Sequence, residues 1–312
     1  MPILTMVNQV IILFVLMGLG FALARFRVLD EHVSQKLTWL LCYIVMPCLI
    51  LYSFQAPFSQ ARLHNFLEMF IITAGLHLLC IVLARLFLNG RTLRHTGRLA
   101  EMRAASVYPN CGFMGIPLIS ALQGSTGVFY GSVFITVNGI FAWSHGLMLF
   151  SGQFDRTALK KSLTNPNILA AVVGLPMFLT GWHLPGALQQ SLHYVANLNT
   201  ALSMMIIGAA MSRIRFAGIL STPAGWLCLL LRNLLFPLIC LLVMWWLGIE
   251  AELLLCALVL MACPVAGITV IFAQLTGRDT QFIGQTLTLS TLLSVLTLPL
   301  MLALAQWLLT LG

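Results

Sequence analysis

Charge is what this chain has least of. Its 312 residues carry 16 Lys and Arg and 8 Asp and Glu, 8% in all, where soluble domains carry roughly a quarter. With 60% hydrophobic residues and a mean hydropathy of +0.99, that scarcity excludes a soluble domain and points to a polytopic membrane protein. No Asp or Glu falls at the middle of an apolar run, which argues against a sodium site of the carboxylate type. Enzyme motifs are missing too: there is no His-Glu-x-x-His, no Gly-x-Ser-x-Gly and no phosphate-binding Gly-Lys-Ser/Thr loop. Neither catalytic residues nor a cofactor nor a metal is expected. All eight cysteines (Cys42, Cys48, Cys80, Cys111, Cys228, Cys240, Cys256, Cys263) lie in apolar segments without a Cys-x-x-Cys pair. That pattern argues against a disulfide framework or structural zinc and reads as small buried side chains. Cys111 and Cys263, at the breaks described below, are the candidates for reaction with thiol reagents, without a catalytic role.

The net charge of +8 and pI near 9.3 do not signal nucleic acid, because the basic residues sit in short loops between apolar runs and form no face. Residues 1–24 lack the charge order of a signal peptide: no Lys or Arg precedes the apolar run, and Arg25 and Arg27 follow it. This stretch reads as a retained first span with its N-terminus outside.

About 20 apolar residues cross a bilayer, and on that scale the chain divides into ten spans. They are 3–24, 37–54, 67–88, 99–122, 127–150, 166–182, 197–212, 224–248, 252–276 and 283–310. The loops then place Arg25, Arg27, Lys36, Arg91, Arg94, Arg98, Arg156, Lys160, Lys161, Arg213, Arg215 and Arg278 in the cytoplasm. Only Arg62, with Glu250 and Glu252, is left outside. Both termini are therefore expected outside. Residues 55–66 and 183–196 read as outer connections, simple loops or short amphipathic helices.

The most informative stretch is Ser106-Val-Tyr-Pro-Asn-Cys-Gly-Phe-Met-Gly-Ile-Pro117. Pro109 and Pro117 each remove a backbone N–H inside a span, and a break is predicted near Pro109 to Gly112. Met261-Ala-Cys-Pro-Val-Ala-Gly-Ile-Thr269 repeats the feature. Pro109 to Pro264 and Gly112 to Gly267 cover the same 155 residues (264 − 109 and 267 − 112). Five spans is an odd number, so a second unit must be inverted relative to the first. The expected fold is all-α: two inverted five-helix repeats, residues 1–150 and 166–312, joined by a cytoplasmic linker 151–165, with broken helices 4 and 9 crossing. Half-helix N-termini at such a crossing offer free N–H groups and a partial positive charge, an anion site without a cationic side chain. The residues expected there are Asn110, Cys111, Gly112 and Met114 in the first break and Val265, Ala266, Gly267 and Thr269 in the second.

Other polar residues inside spans need partners. Asn138 lies mid-span and requires either a neighbouring helix or a ligand. Thr136, Ser144, Thr286, Thr288, Ser290 and Ser294 are expected to bond largely to their own helices. Arg85, Arg103 and Arg232, with Glu101, read as snorkelling to the interface. His77 and His145 lie deeper and are the candidates for proton coupling, against the plainer role of bonded interior residues.

Asn110-Cys-Gly-Phe-Met-Gly-Ile-Pro-Leu118 resembles the fourth-span string of the auxin efflux carrier family. Leu231-Arg-Asn-Leu-Leu-Phe-Pro237 and Thr291-Leu-Leu-Ser-Val-Leu-Thr-Leu-Pro299 are similar to the same family, and the likeness covers nearly the whole chain. The resemblance implies elevator-like alternating access, with spans 1, 2, 6 and 7 as scaffold and spans 3–5 and 8–10 as transport bundle. It implies a bile-acid-symporter-like architecture, a bacterial inner-membrane location and small organic anions such as auxin, malonate or malate as substrates. Asn110 matches the family asparagine assigned to the substrate carboxylate. At the ninth span Val265 stands where some relatives have a polar residue, and the long cytoplasmic loop of the plant carriers is missing.

The leading expectation is a secondary carrier of mono- or dicarboxylates. A sodium-coupled symporter of the bile-acid type and, in a different class, a channel or receptor-like membrane scaffold remain alternatives. Proton or sodium coupling and homodimer formation stay open at this level.

Overall fold

The computed structural model describes residues 2–89, 97–153, 164–213 and 222–310. Arg91, Arg94, Arg156, Lys160, Lys161, Arg215 and most of the expected linker lie outside the described residues. The chain runs α1 (Pro2–Arg25), α2 (Glu31–Leu40), α3 (Met46–Ser53), α4 (Gln60–Phe87), α5 (Leu99–Val107), α6 (Ile116–Phe141) and α7 (Leu147–Ser151). It continues through α8 (Pro166–Thr180), α9 (Gly186–Met211), α10 (Pro223–Leu230), α11 (Phe236–Trp246), α12 (Ala251–Met261), α13 (Ile268–Leu275) and α14 (Gln281–Leu309). Among the described residues the only β pairing is a single antiparallel bridge between Pro109 and Val265.

Seven helical segments are long and apolar enough to cross a bilayer, and α8 and α12 are shorter apolar helices. Apolar side chains such as Val15, Ile71, Val172 and Leu296 point out of the bundle, the pattern of a multi-pass membrane protein whose outer surface meets lipid. The segmentation differs from the sequence expectation in particular places. Residues 99–122 are divided at Tyr108–Asn110, and the part after the break runs on through Gly124 to Ser151 as one 41-residue segment. Gly124 has φ +61°, so the segment bends there at a residue without a Cβ. The expected outer connection 183–196 is mostly helix, because α9 starts at Gly186. Likewise α4 starts at Gln60, where the Ser59 hydroxyl accepts from Arg62 N at 3.1 Å.

Proline shapes the long helices in a regular way. Pro47, Pro117 and Pro237 each occupy the second position of α3, α6 and α11, and each is preceded by a five-residue π turn: Leu41–Val45, Cys111–Gly115 and Leu231–Leu235. Lacking an N–H, proline leaves the carbonyl four residues back without its donor. The residue before it then reaches one carbonyl further: Met46 N to Leu41 O, Ile116 N to Cys111 O and Phe236 N to Leu231 O. At Pro117 this frees the carbonyls of Gly112 and Phe113 for partners outside the helix.

Helices α1 and α9 approach to backbone contact. A Cβ on Gly20 would stand 2.1 Å from Met205 O, and one on Gly208 would stand 1.9 Å from Met17 O. Small residues permit this approach, which is how helices gain packing where lipid gives no hydrophobic drive. Gly208→Ala is expected to cost about 3 kcal/mol by forcing the two backbones apart. Gly18→Ala, on the same helix as Gly20 with nothing within 4 Å, is expected to be neutral or to stabilise by up to about 1 kcal/mol. Thermal unfolding of the two variants in detergent, read by size-exclusion chromatography, checks the contrast.

Candidate functional site

The two proline breaks meet. Tyr108–Asn110 and Pro264–Ala266 run antiparallel, with Asn110 N donating to Pro264 O at 2.8 Å and Ala266 N donating to Tyr108 O at 3.0 Å. Each break thereby satisfies backbone groups that the other exposes, which is what hydrocarbon depth requires of non-helical chain. Val265 N, facing away from that pair, donates to Ser290 Oγ at 3.1 Å. Ser290 passes its own hydrogen to Asn233 Oδ1 at 2.7 Å, and Asn233 Nδ2 donates back to Ser290 O at 2.8 Å. Ser290 thus bonds beyond its own helix, as Ser294 also does, whereas the Thr286 and Thr288 hydroxyls reach carbonyls of α14.

Arg232 departs furthest from expectation. It does not snorkel: it is 0% exposed and lies beneath the crossing. Its Nε donates to Cys263 O at 3.0 Å and its Nη1 to Val107 O at 3.1 Å and Ser106 O at 3.3 Å, while Nη2 donates to Met261 O. Ser106, Val107 and Met261 stand at the C-terminal ends of α5 and α12, whose last turns lack intrahelical donors, and Cys263 lies in the break just after α12. The ion pairs among the described residues are Glu101–Arg278 and His64–Glu68, so no carboxylate neutralises Arg232. The dipoles of two helix C-termini take that role. Arg103 also caps a helix, donating to Leu88 O from Nε at 3.3 Å and Nη2 at 2.9 Å, whereas Arg85 is exposed.

On the opposite side of the crossing the backbone is unpaired. Asn110 O accepts from Met114 N and Gly115 N at 3.2 and 3.3 Å. The N–H groups of Cys111, Gly112 and Phe113 precede that first turn and have no backbone partner among the described residues; those of Cys111 and Gly112 face the Cys111 sulfur. Gly267, just before α13, and Ile268, its first residue, likewise have N–H groups without a backbone partner among the described residues. The Asn110 side chain is 7% exposed and its amide has no partner among the described residues. The structure therefore brings Pro109, Asn110, Cys111, Gly112, Pro264, Val265, Ala266 and Gly267 to one place. Met114 and Thr269 lie one turn along and are fully buried: Met114 Sδ accepts from Ser294 Oγ at 3.8 Å and Thr269 Oγ1 donates to Ala266 O at 2.6 Å. Cys111 and Cys263 are buried as well, which removes the expectation that reagents reach them.

Helix α9 holds the first break from the side. Asn199 Nδ2 donates to Gly112 O at 3.3 Å and Ser203 Oγ donates to Phe113 O at 3.0 Å, the two carbonyls that Pro117 sets free. A polar cavity of about 420 Å³ opens beside this contact, between α3, α6 and α9, lined among others by Tyr52, Gln55, Arg62, Ser120, His193 and Asn199. That volume suits a small ligand. Two buried lining side chains keep an unpaired polar atom, Gln55 Nε2 and Asn199 Oδ1.

The remaining candidates lie elsewhere. Asn138 has the neighbouring-helix partner: its Oδ1 is 2.9 Å from His77 Nε2, and His77 Nδ1 donates to Thr73 O at 2.8 Å. Tyr108 joins the crossing to His145, its hydroxyl lying 2.8 Å from His145 Nδ1 and 3.0 Å from Phe141 O. Neither histidine lines the cavity. No group of three or more metal-ligating side chains occurs among the described residues. Sequence reasoning missed Asn199, Ser203 and Asn233. The spacing of Pro117 could have announced that two carbonyls need outside donors, but not which helix supplies them.

Ser290→Ala is expected to leave Val265 N–H and Asn233 Oδ1 unpaired and to cost about 1–3 kcal/mol. Ser290→Thr, which keeps the hydroxyl, is expected to retain most of that stability; thermal unfolding of the two variants makes the comparison.

A family model described as membrane transport protein matches residues 5–302. An uncharacterized transporter of Methanothermobacter thermautotrophicus is 25% identical over 303 residues, 94% of this chain and 96% of that protein. An uncharacterized transporter of Methanocaldococcus jannaschii is 23% identical over 216 residues, 66% of this chain and 68% of that one. With nearly its whole length matched, and with the Asn110–Leu118 string at its crossing, the chain belongs to the membrane transport protein family, the auxin efflux carriers.

Proposed function

We propose that the chain is a secondary carrier that moves small organic anions, mono- or dicarboxylates, across the inner membrane by alternating access. The observation that carries this reading is the unpaired Asn110 amide beside N–H groups that have no backbone partner among the described residues, those of Phe113, Gly267 and Ile268 and those of Cys111 and Gly112, which face only the Cys111 sulfur. A carboxylate accepts such donors on both oxygens, and two helix N-termini favour its charge.

The architecture in this reading has ten spans. The 41-residue segment Cys111–Ser151 measures about 60 Å as helix, twice the hydrocarbon thickness, and folds at Gly124 into the second half of span 4 and span 5. Helices α12 and α13 together form span 9. Residues 1–150 and 166–312 are inverted repeats with 151–165 as cytoplasmic linker, and both termini lie outside. The tie pattern supports the repeat. Gln123 and Arg278 are 155 apart (278 − 123), and each links the end of one broken span to the start of the other. Gln123 Nε2 donates to Glu252 O at 2.8 Å, and Arg278 Nη1 pairs with Glu101 Oε1 at 3.2 Å.

Spans 1, 2, 6 and 7 serve as scaffold and spans 3–5 and 8–10 as the moving bundle. The backbone contact of α1 with α9 suits a rigid scaffold. The Asn199 and Ser203 bonds to the first break are then the contact that must be exchanged when the bundle moves. The polar cavity beside Asn199 is the approach from the side that holds Arg62. An inside-negative potential of 100 mV supplies about 2.3 kcal/mol per charge for export of a monoanion.

Asn110→Ala is expected to abolish carboxylate counterflow in proteoliposomes while the protein is still made and purified normally; wild-type counterflow by this variant would refute the site. Pro264→Ala is expected to impair flux more than folding. Its signature is retained stabilisation by a carboxylate ligand beside lost turnover.

A further inference from the structure

Carriers with broken crossing helices commonly bind their coupling cation on unwound carbonyls and half-helix C-termini. In this chain those groups are occupied from within. The ends of α5 and α12 turn four carbonyls, from Ser106, Val107, Met261 and Cys263, onto a single guanidinium that has no exposure. No carboxylate from a neighbouring helix shares that guanidinium among the described residues. Asn233, the next residue along, is likewise committed, to Ser290. We infer that Arg232 is a built-in substitute for the coupling cation, filling the carbonyl site where a sodium ion would otherwise sit, so that the crossing carries its positive charge permanently and takes no sodium.

Three features of the residue fit that role. An arginine stays protonated in a protein and presents its donors as a planar fork. The fork reaches carbonyls of both broken spans, so it joins the two half-sites as a bridging ion would. Its place on the π turn Leu231–Leu235, before Pro237, displaces it from the regular helical position. Arg232 touches no substrate in this arrangement; it is a positioning residue that sets the charge of the site. The consequence for coupling rests on the carrier reading above: a bound monocarboxylate neutralises the crossing without a partner ion, so sodium-coupled symport is not needed to hold it.

The test uses no substrate, so its outcome is separate from that of the Asn110→Ala counterflow measurement. Thermal unfolding of the purified wild-type chain is compared in sodium chloride and choline chloride at equal ionic strength. The expected Tm difference is under about 1 °C, since an ion bound at a hundred times its Kd would raise the Tm by several degrees. A saturable, sodium-specific rise in wild-type Tm overturns the proposal. Arg232→Ala is expected to unfold at lower temperature and to regain several degrees, by the same linkage, in millimolar guanidinium but not in choline. A folded Arg232→Ala that gains nothing from guanidinium overturns it too. Should that variant not fold, the wild-type sodium comparison decides the question alone.

Discussion

Every backbone N–H and C=O placed in hydrocarbon must find its partner inside the protein, and this requirement governs the centre of the molecule. Pro109 and Pro264 interrupt two helices at membrane depth. The groups they expose are shared among three sets of partners: each other across the Pro109–Val265 bridge, the Ser290–Asn233 pair, and the Arg232 guanidinium. The bonds made there are few and buried, so each is worth more than a comparable bond at a surface, and each lost partner costs more. What stays unpaired lies on one side only, at the starts of the two half-helices. That asymmetry makes the crossing a candidate site as well as a joint.

A second layer follows from Pro117. Removing one N–H shifts the ladder at Cys111–Gly115 into a π turn and hands the Gly112 and Phe113 carbonyls to Asn199 and Ser203 of α9. A proline in one helix therefore creates the polar contact with another, beside the cavity with its unpaired Gln55 and Asn199 atoms. The same device recurs before Pro47 and Pro237. Its use before Pro237 places Arg232.

Much of this was legible in the sequence, because proline and glycine act locally. The breaks at Pro109 and Pro264 and their period of 155 needed only the loss of an N–H and the length of a span, whereas the choice of Asn110 came from the family resemblance. Partnerships across helices were not legible. Nothing in the residue order says that Asn138 meets His77 or that Ser203 meets Phe113, since those contacts depend on helix rotation and crossing. Arg232 was misread for a related reason. A lone arginine toward the end of a span snorkels by default, and only the three-dimensional approach of two helix C-termini reverses that preference. Residues 186–196 read as an outer loop or short amphipathic helix, whereas the structure joins them to one long helix from Gly186 that packs on α1 and α3.

The electrostatic balance at the crossing can be argued from the four helix ends. Two N-termini bring roughly +0.5 charge each and two C-termini roughly −0.5 each, so the ends alone sum to about zero. An unmodified crossing is then no better for an anion than for a cation; the two faces differ in sign, but the joint is neutral. Arg232 adds one full charge on the C-terminal face and cancels the negative ends there. The N-terminal face, with Asn110, is left as an uncompensated positive surface. His77 occupies the position 155 residues earlier (232 − 77) and is tied to Thr73 and Asn138 instead of to a helix end. The two halves of the chain, similar in their breaks, thus differ in charge: the second holds the buried Arg232 guanidinium and the first the unpaired Asn110 amide.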